Sequence, residues 1–250
     1  MTPVARRALT SVSLLLAASY TGFILESERE RLQIPRSAAR VTLGGFEPIA
    51  ANVLWMRAGD LLENDRFTEA IAVGRVLTRL QPRIPEGWDI IAWGLAWENA
   101  DYGTPGAQWE LVREALRLIR EGLEYNPDSE LLLMSLGLLY LERISKRPDL
   151  RPIAERALRG PPEALALAAF QARYRIDPGP IRAGLIRESA LLLARRLEEA
   201  GEIEAAIEAY GTALAAIREI QPSIDDPAAA GIVRREIEAV SARIRDLMER

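Results

Sequence analysis

The chain has 250 residues, of which 49% are hydrophobic and 27% charged, with a formal net charge of -4. That is enough apolar surface for a substantial core, and it lacks the basic footprint of a nucleic-acid binder. With no cysteine and no histidine, disulfides, thiolate nucleophiles, imidazole bases, the commonest zinc and haem ligands and a cysteine-linked lipid anchor are excluded together.

At the N-terminus Arg6 and Arg7 precede an uncharged run from Ala8 to Leu25, and Glu26, Glu28, Arg29, Glu30 and Arg31 follow it. As a helix the run spans about 27 Å at 1.5 Å per residue, enough for a hydrocarbon layer roughly 30 Å thick. The flanking arginines favour a cytoplasmic N-terminus. The expected layout is a cytoplasmic segment 1–7, a signal anchor 8–25 in the inner membrane and a tether 26–46, with the remainder on the periplasmic side. The small residues Ala17-Ala18-Ser19 leave a cleaved signal peptide as the alternative, and a buried soluble helix is a third.

The tether carries Pro35 and ends in the turn-like Leu43-Gly44-Gly45-Phe46. From Ala51 to Ile84 the pattern predicts two helices. The first bears Leu54, Trp55, Ala58, Leu61 and Leu62; the second bears Phe67, Ala70, Val73, Val76 and Leu77; the turn between them is Asn64-Asp65-Arg66. Ala58 and Ala70 are small enough for close helix approach. Pro82 ends this unit and Pro85 opens the next. Trp88, Ala92 and Leu95 then recur in phase at a period of about 34 residues, and Ala115 and Pro127 regain it after an insertion near 98–108 that is expected to be a loop. Asn126-Pro127-Asp128-Ser129 closes the second unit and caps the following helix. Leu136-Gly137 and Tyr140 begin a third unit whose pattern breaks at Arg147-Pro148-Asp149. An alanine-rich helix with Phe170 and Tyr174 is bracketed by Gly160-Pro161-Pro162 and Asp177-Pro178-Gly179-Pro180. Leu193, Ala194 and Leu197 followed by Gly201, Ile203, Ala206, Tyr210, Ala213 and Leu214 form a last good match. Asp226 and Pro227 then open a terminal helix, 223–250, with a polar outer face.

This alternation of small and large residues resembles the tetratricopeptide repeat (TPR). The resemblance implies an all-α fold, an α-solenoid of TPR-like helical hairpins over 47–222 with a capping helix after it. The stretch Leu43 to Ile144, with Leu80-Gln81-Pro82-Arg83, Trp88, Ala92-Trp93, Trp109, Val112-Arg113 and Tyr125-Asn126-Pro127, further resembles membrane-anchored TPR proteins of planctomycetes and related bacteria. That group carries no established function; the resemblance implies an anchored, extracytoplasmic scaffold and adds no catalytic residue.

In such repeats the first helices line the ligand face, which implies Asn52, Trp55, Glu63, Glu86, Asp89, Trp93, Trp97, Met134, Glu142, Glu188, Arg195 and Glu198 as face positions. The strongest partner-binding candidates are Asn52, Trp55, Glu86, Asp89, Trp93, Trp97, Met134 and Arg195. Trp93 and Trp97 are four residues apart and share a helical face. Large aromatics near carboxylates suit a peptide or a glycan, against the competing reading that these rings are core. Acidic pairs such as Glu86 with Asp89 or Glu198 with Glu199 sit on one helix with nothing to set opposed roles, so no enzyme is expected, and no catalytic, cofactor or metal site. The sequence therefore predicts a membrane-anchored scaffold or adaptor holding a protein partner in the cell envelope. The alternative is a cell-wall or glycan-binding module supporting an envelope enzyme.

Overall fold

The computed structural model describes residues 47–64, 66–98, 103–158 and 160–249. Among these there are α-helices and no strands, in agreement with the all-α expectation. The helices are α1 (Glu47–Glu63), α2 (Phe67–Leu80), α3 (Pro85–Trp93), α4 (Pro105–Tyr125), α5 (Glu130–Leu138), α6 (Arg151–Ala157), α7 (Pro162–Ile176), α8 (Pro180–Glu199), α9 (Ile203–Ile220) and α10 (Pro227–Met248). Helices α3 and α5 run on into π turns at Gly94–Glu98 and Leu139–Ser145. The expected anchor 8–25 and tether 26–46 lie outside the described residues. No helix among the described residues is long and apolar enough to cross a membrane.

The punctuation has identifiable chemistry. Helices α3, α4, α7, α8 and α10 each begin on a proline, at the position where a backbone N–H has no helical partner anyway. Three starts are capped by a side chain that accepts from an otherwise orphaned amide: Thr104 from Ala107 N–H at 3.4 Å, Ser129 from Leu132 N–H at 3.3 Å, and Asp226 from Ala229 N–H at 3.0 Å. Between α8 and α9 the turn closes on Gly201, whose φ of +78° suits a residue without Cβ. There Glu202 N–H reaches Leu197 C=O at 2.8 Å and Gly201 N–H reaches Glu198 C=O at 3.0 Å, the paired bonds of a Schellman stop.

Packing follows the chain order in most places: α2 on α3, α3 on α4, α8 on α9, and α9 on α10. Around the first hairpin Ala51, Ala58 and Leu77 are buried together, and Leu54, Trp55 and Val73 pack against them. The main core then runs from Trp88 in α3 to Leu247 in α10. Among the described residues three glycines set helix separation, Gly74 against Ile91 being one. A Cβ on Gly122 would stand 2.7 Å from Trp88 Cγ, and one on Gly137 would stand 2.6 Å from Phe170 Cζ. Adjacent units are also tied at one carbonyl: Pro82 C=O accepts from Trp88 Nε1 at 3.0 Å and from Asn126 Nδ2 at 2.9 Å.

The third unit departs from a simple hairpin. Helix α6 is short, and α7 packs against both α5 and α8. A buried carboxylate fixes this corner. Glu163, 1% exposed, accepts from Ser145 Oγ at 2.6 Å and pairs with Arg151 at 2.9 Å and Arg196 at 3.6 Å. The second unit requires a correction. Of the insertion expected as a loop near 98–108, residues 99–102 lie outside the described residues, but its far end is helical: α4 already starts at Pro105. Gln108 is buried, donating from Nε2 to Gly103 C=O at 3.2 Å and accepting from Arg147 Nη2 at 2.9 Å. The proline and threonine read as loop punctuation instead start a helix, Thr104 as cap and Pro105 as first residue.

Candidate functional site

Helix α3 has two faces of opposite character. Trp88, Ile91, Ala92 and Leu95 are buried in the main core, whereas Glu86 and Trp93 are exposed and Asp89 and Trp97 partly buried. Counting from Glu86, residues 89, 93 and 97 fall three and then four apart, so they form one stripe along the helix. Trp93 and Trp97 are stacked, with ring centroids 4.2 Å apart and planes at 10°. The α-to-π transition at Gly94 favours this: widening the turn brings residues four apart more nearly in line along the axis.

The two indoles are not equivalent. Trp97 packs on the core cluster, while Trp93 belongs to neither cluster and is 42% exposed. Across the pair's other side lies Arg143 of the second π turn, its Cζ 5.8 Å from the Trp97 ring centroid. A guanidinium over an indole face at this distance is a cation–π arrangement. The stack therefore runs from the exposed Trp93 through Trp97 to the buried Arg143. Among the described residues neither indole N–H of the pair has a protein acceptor, whereas Trp55 Nε1 donates to Gln81 Oε1 at 3.1 Å and Trp88 Nε1 to Pro82 C=O. A tryptophan in a structural role usually has its N–H satisfied, as those two do.

One turn before Trp93, Asp89 accepts a hydrogen bond from Ser135 Oγ, which joins α3 to α5. Burial pushes the Asp89 carboxyl above the usual carboxylate range; the Ser135 hydrogen bond opposes that shift and the nearby Glu86 charge adds to it. The arrangement is a partly desolvated acid at the edge of an aromatic shelf. It has no nucleophile with a base beside it, and no cluster of metal-ligating side chains occurs among the described residues.

The other expected face residues are placed as follows. Asn52 and Glu63 are exposed on α1. Trp55, expected on the ligand face, is a packing residue: its indole is tied to Gln81, and a Cβ on Gly87 would lie 3.8 Å from its ring. Met134 is partly buried on α5, next in sequence to Ser135. Glu142 and Glu188 both bind Lys146, at 2.7 and 2.6 Å, which links the second π turn to α8. Glu198 accepts from Tyr210 OH at 3.1 Å and Arg243 Nε at 3.0 Å. Arg195 is exposed and lies on α8, away from the α3 stripe in sequence and in element. The structure thus brings together Glu86, Asp89, Trp93 and Trp97, and commits Glu188 and Glu198 of α8 to internal pairs. Ser135 and Arg143 complete the site and were not anticipated. Their only sequence signal is polarity inside the apolar stretch Leu131 to Ile144.

Comparison with known proteins gives little further. No protein-family model matches the chain and no curated protein matches it. Among solved structures it is similar to one titled "MamA RS-1 ArsTM double mutant", at 15% identity and a TM-score of 0.42, over 78% of this chain and 96% of that one. It is also similar to one titled "Crystal structure of MamA protein", at 14% identity and a TM-score of 0.41, over 80% and 92% of the two chains. At these values the likeness is one of helical layout and assigns neither family nor partner.

Proposed function

We propose that the chain is a helical-repeat scaffold that holds a segment of a partner protein on the α3–α5 face, without catalysing a reaction. The observation that carries this reading is the Trp93–Trp97 stack. It is a stacked aromatic pair without structural hydrogen bonds among the described residues, Trp93 exposed and Trp97 seated on the core, on a helix whose opposite side is buried. A large, preordered aromatic surface loses little conformational freedom on binding and supplies the kind of anchor that dominates protein interfaces. Asp89 and Ser135 fix α3 against α5, so the shelf is set before a partner arrives. We further propose the TPR-like, membrane-anchored arrangement, in which residues 8–25 hold the scaffold at the inner membrane with its repeats in the periplasm. Its support is the charge and hydropathy pattern of the N-terminus.

The test places a photo-cross-linking amino acid at Met134, beside the shelf, and separately at Arg235 on α10, and irradiates native membranes. Defined adducts from position 134 that disappear in a Trp93→Ala, Trp97→Ala background, with none from 235, are the expected result. Adducts of equal yield in both backgrounds would move binding off this face. Retention of the full chain on purified cell-wall glycan that depends on the same two tryptophans would replace the protein partner by a sugar.

A further inference from the structure

Trp93 is the exposed member of the stack, and the groups beside it define what fits the shelf. Trp97 covers one face of Trp93, so the exposure of Trp93 lies on its other face and edges. Trp97 is four residues C-terminal to Trp93; the uncovered face therefore turns toward the N-terminal turns of α3, where Asp89 and Glu86 lie on the same stripe. Over Trp97 the protein supplies its own guanidinium, Arg143. Beside Trp93 it supplies an indole face and two carboxylates, with no basic side chain on α3.

We propose, resting on the reading of this face as a protein-binding surface, that the shelf selects a partner segment presenting an arginine side chain, its guanidinium stacked on the free face of Trp93 and hydrogen-bonded to Asp89. A guanidinium is planar, is weakly hydrated for a cation and stacks on aromatic rings while donating in its own plane. It therefore satisfies the indole and the carboxylate together, which neither an aliphatic nor an acidic side chain does. An acidic segment would meet Glu86 and Asp89 with like charge. Asp89 suits the role because Ser135 holds it through Oδ1, and among the described residues Oδ2 has no hydrogen bond.

The experiment pans a short random-peptide library on the full chain in detergent micelles, then remeasures the selected peptides with arginine replaced by citrulline, which keeps the shape and removes the charge. Expected are selected sequences enriched in arginine, weakened about tenfold by citrulline. Asp89→Asn should weaken them by a similar factor, since it preserves the side-chain shape and an acceptor for Ser135. Trp93→Ala should abolish binding, and far-UV circular dichroism should show both variants folded. Peptides that bind through Trp93 but are indifferent to citrulline and to Asp89→Asn would overturn the arginine preference while leaving the binding face intact. Selected peptides indifferent to Trp93→Ala and Trp97→Ala would overturn both.

Discussion

The α3 face and the α8–α10 block differ in how their charged groups are used. On α8, Glu188 is bound by Lys146, Glu198 by Tyr210 and Arg243, and Arg196 by Glu163. Arg187 reaches Glu236 of α10 at 3.3 Å. On α3, Glu86 and Trp93 are exposed, and Asp89 has one hydroxyl partner. A surface whose polar groups are already paired gains little from a ligand, because each new bond replaces an existing one. The C-terminal block is thus organised for cohesion, whereas the α3 stripe keeps polar and aromatic groups available for the proposed recognition.

The strongest challenge to that division is Phe170→Ala. Phe170 is 2% exposed and fills the space left by Gly137, so its loss removes the packing between α7 and α5. A loss of about 3–5 kcal/mol in denaturant unfolding is expected. If the close α5–α7 contact, which ties the α3–α5 face to the C-terminal block, depends on this pair, adding Gly137→Ala should recover part of that loss, a coupling that a double-mutant cycle measures directly. Next in size is Glu163→Gln, which leaves Arg151 and Arg196 without their buried counter-charge. Both arginines are about one-third exposed and can turn to water, so about 1–3 kcal/mol is expected, less than for a fully buried pair.

The smallest effect has the opposite sign. The raised Asp89 pKa means that the folded chain holds this proton more tightly than the unfolded chain. Stability therefore falls as pH rises through the interval between the ordinary carboxylate range and the raised value, and stays lower above it. Asp89→Asn removes that penalty. It should raise the melting temperature by roughly 1–2 °C at neutral pH and by nothing in acid. A melting temperature that falls instead would make Asp89 a structural residue and return it to the cohesive class. Such a gain in stability, beside the expected loss of peptide binding, would be the signature of a residue kept for function.

Helix boundaries with local chemistry were readable residue by residue. Prolines at 85 and 227 and the caps Ser129 and Asp226 act through amides within three positions of themselves, so spacing alone reveals them. Gly201, Ala206, Tyr210 and Ala213 likewise mark a hairpin whose two helices are sequence neighbours. Trp93 and Trp97 were legible as a pair on one helical face, but not which of them is exposed. That depends on the core beneath Trp97, contributed by other helices.

The sequence determined, through its likeness to the repeat pattern, the all-α class and the face positions Glu86 and Asp89, and by helical spacing alone the shared face of Trp93 and Trp97, because each rests on regularities within one segment. The tertiary structure alone decided that Trp55 is a packing residue, that helix α4 begins already at Pro105, that α7 bridges α5 and α8, and that Ser135 and Arg143 lie beside the Asp89 and Trp97 side chains. These rest on contacts between residues tens of positions apart and on π turns. Both arise from fitting helices against one another, and neither leaves a periodic trace in the chain.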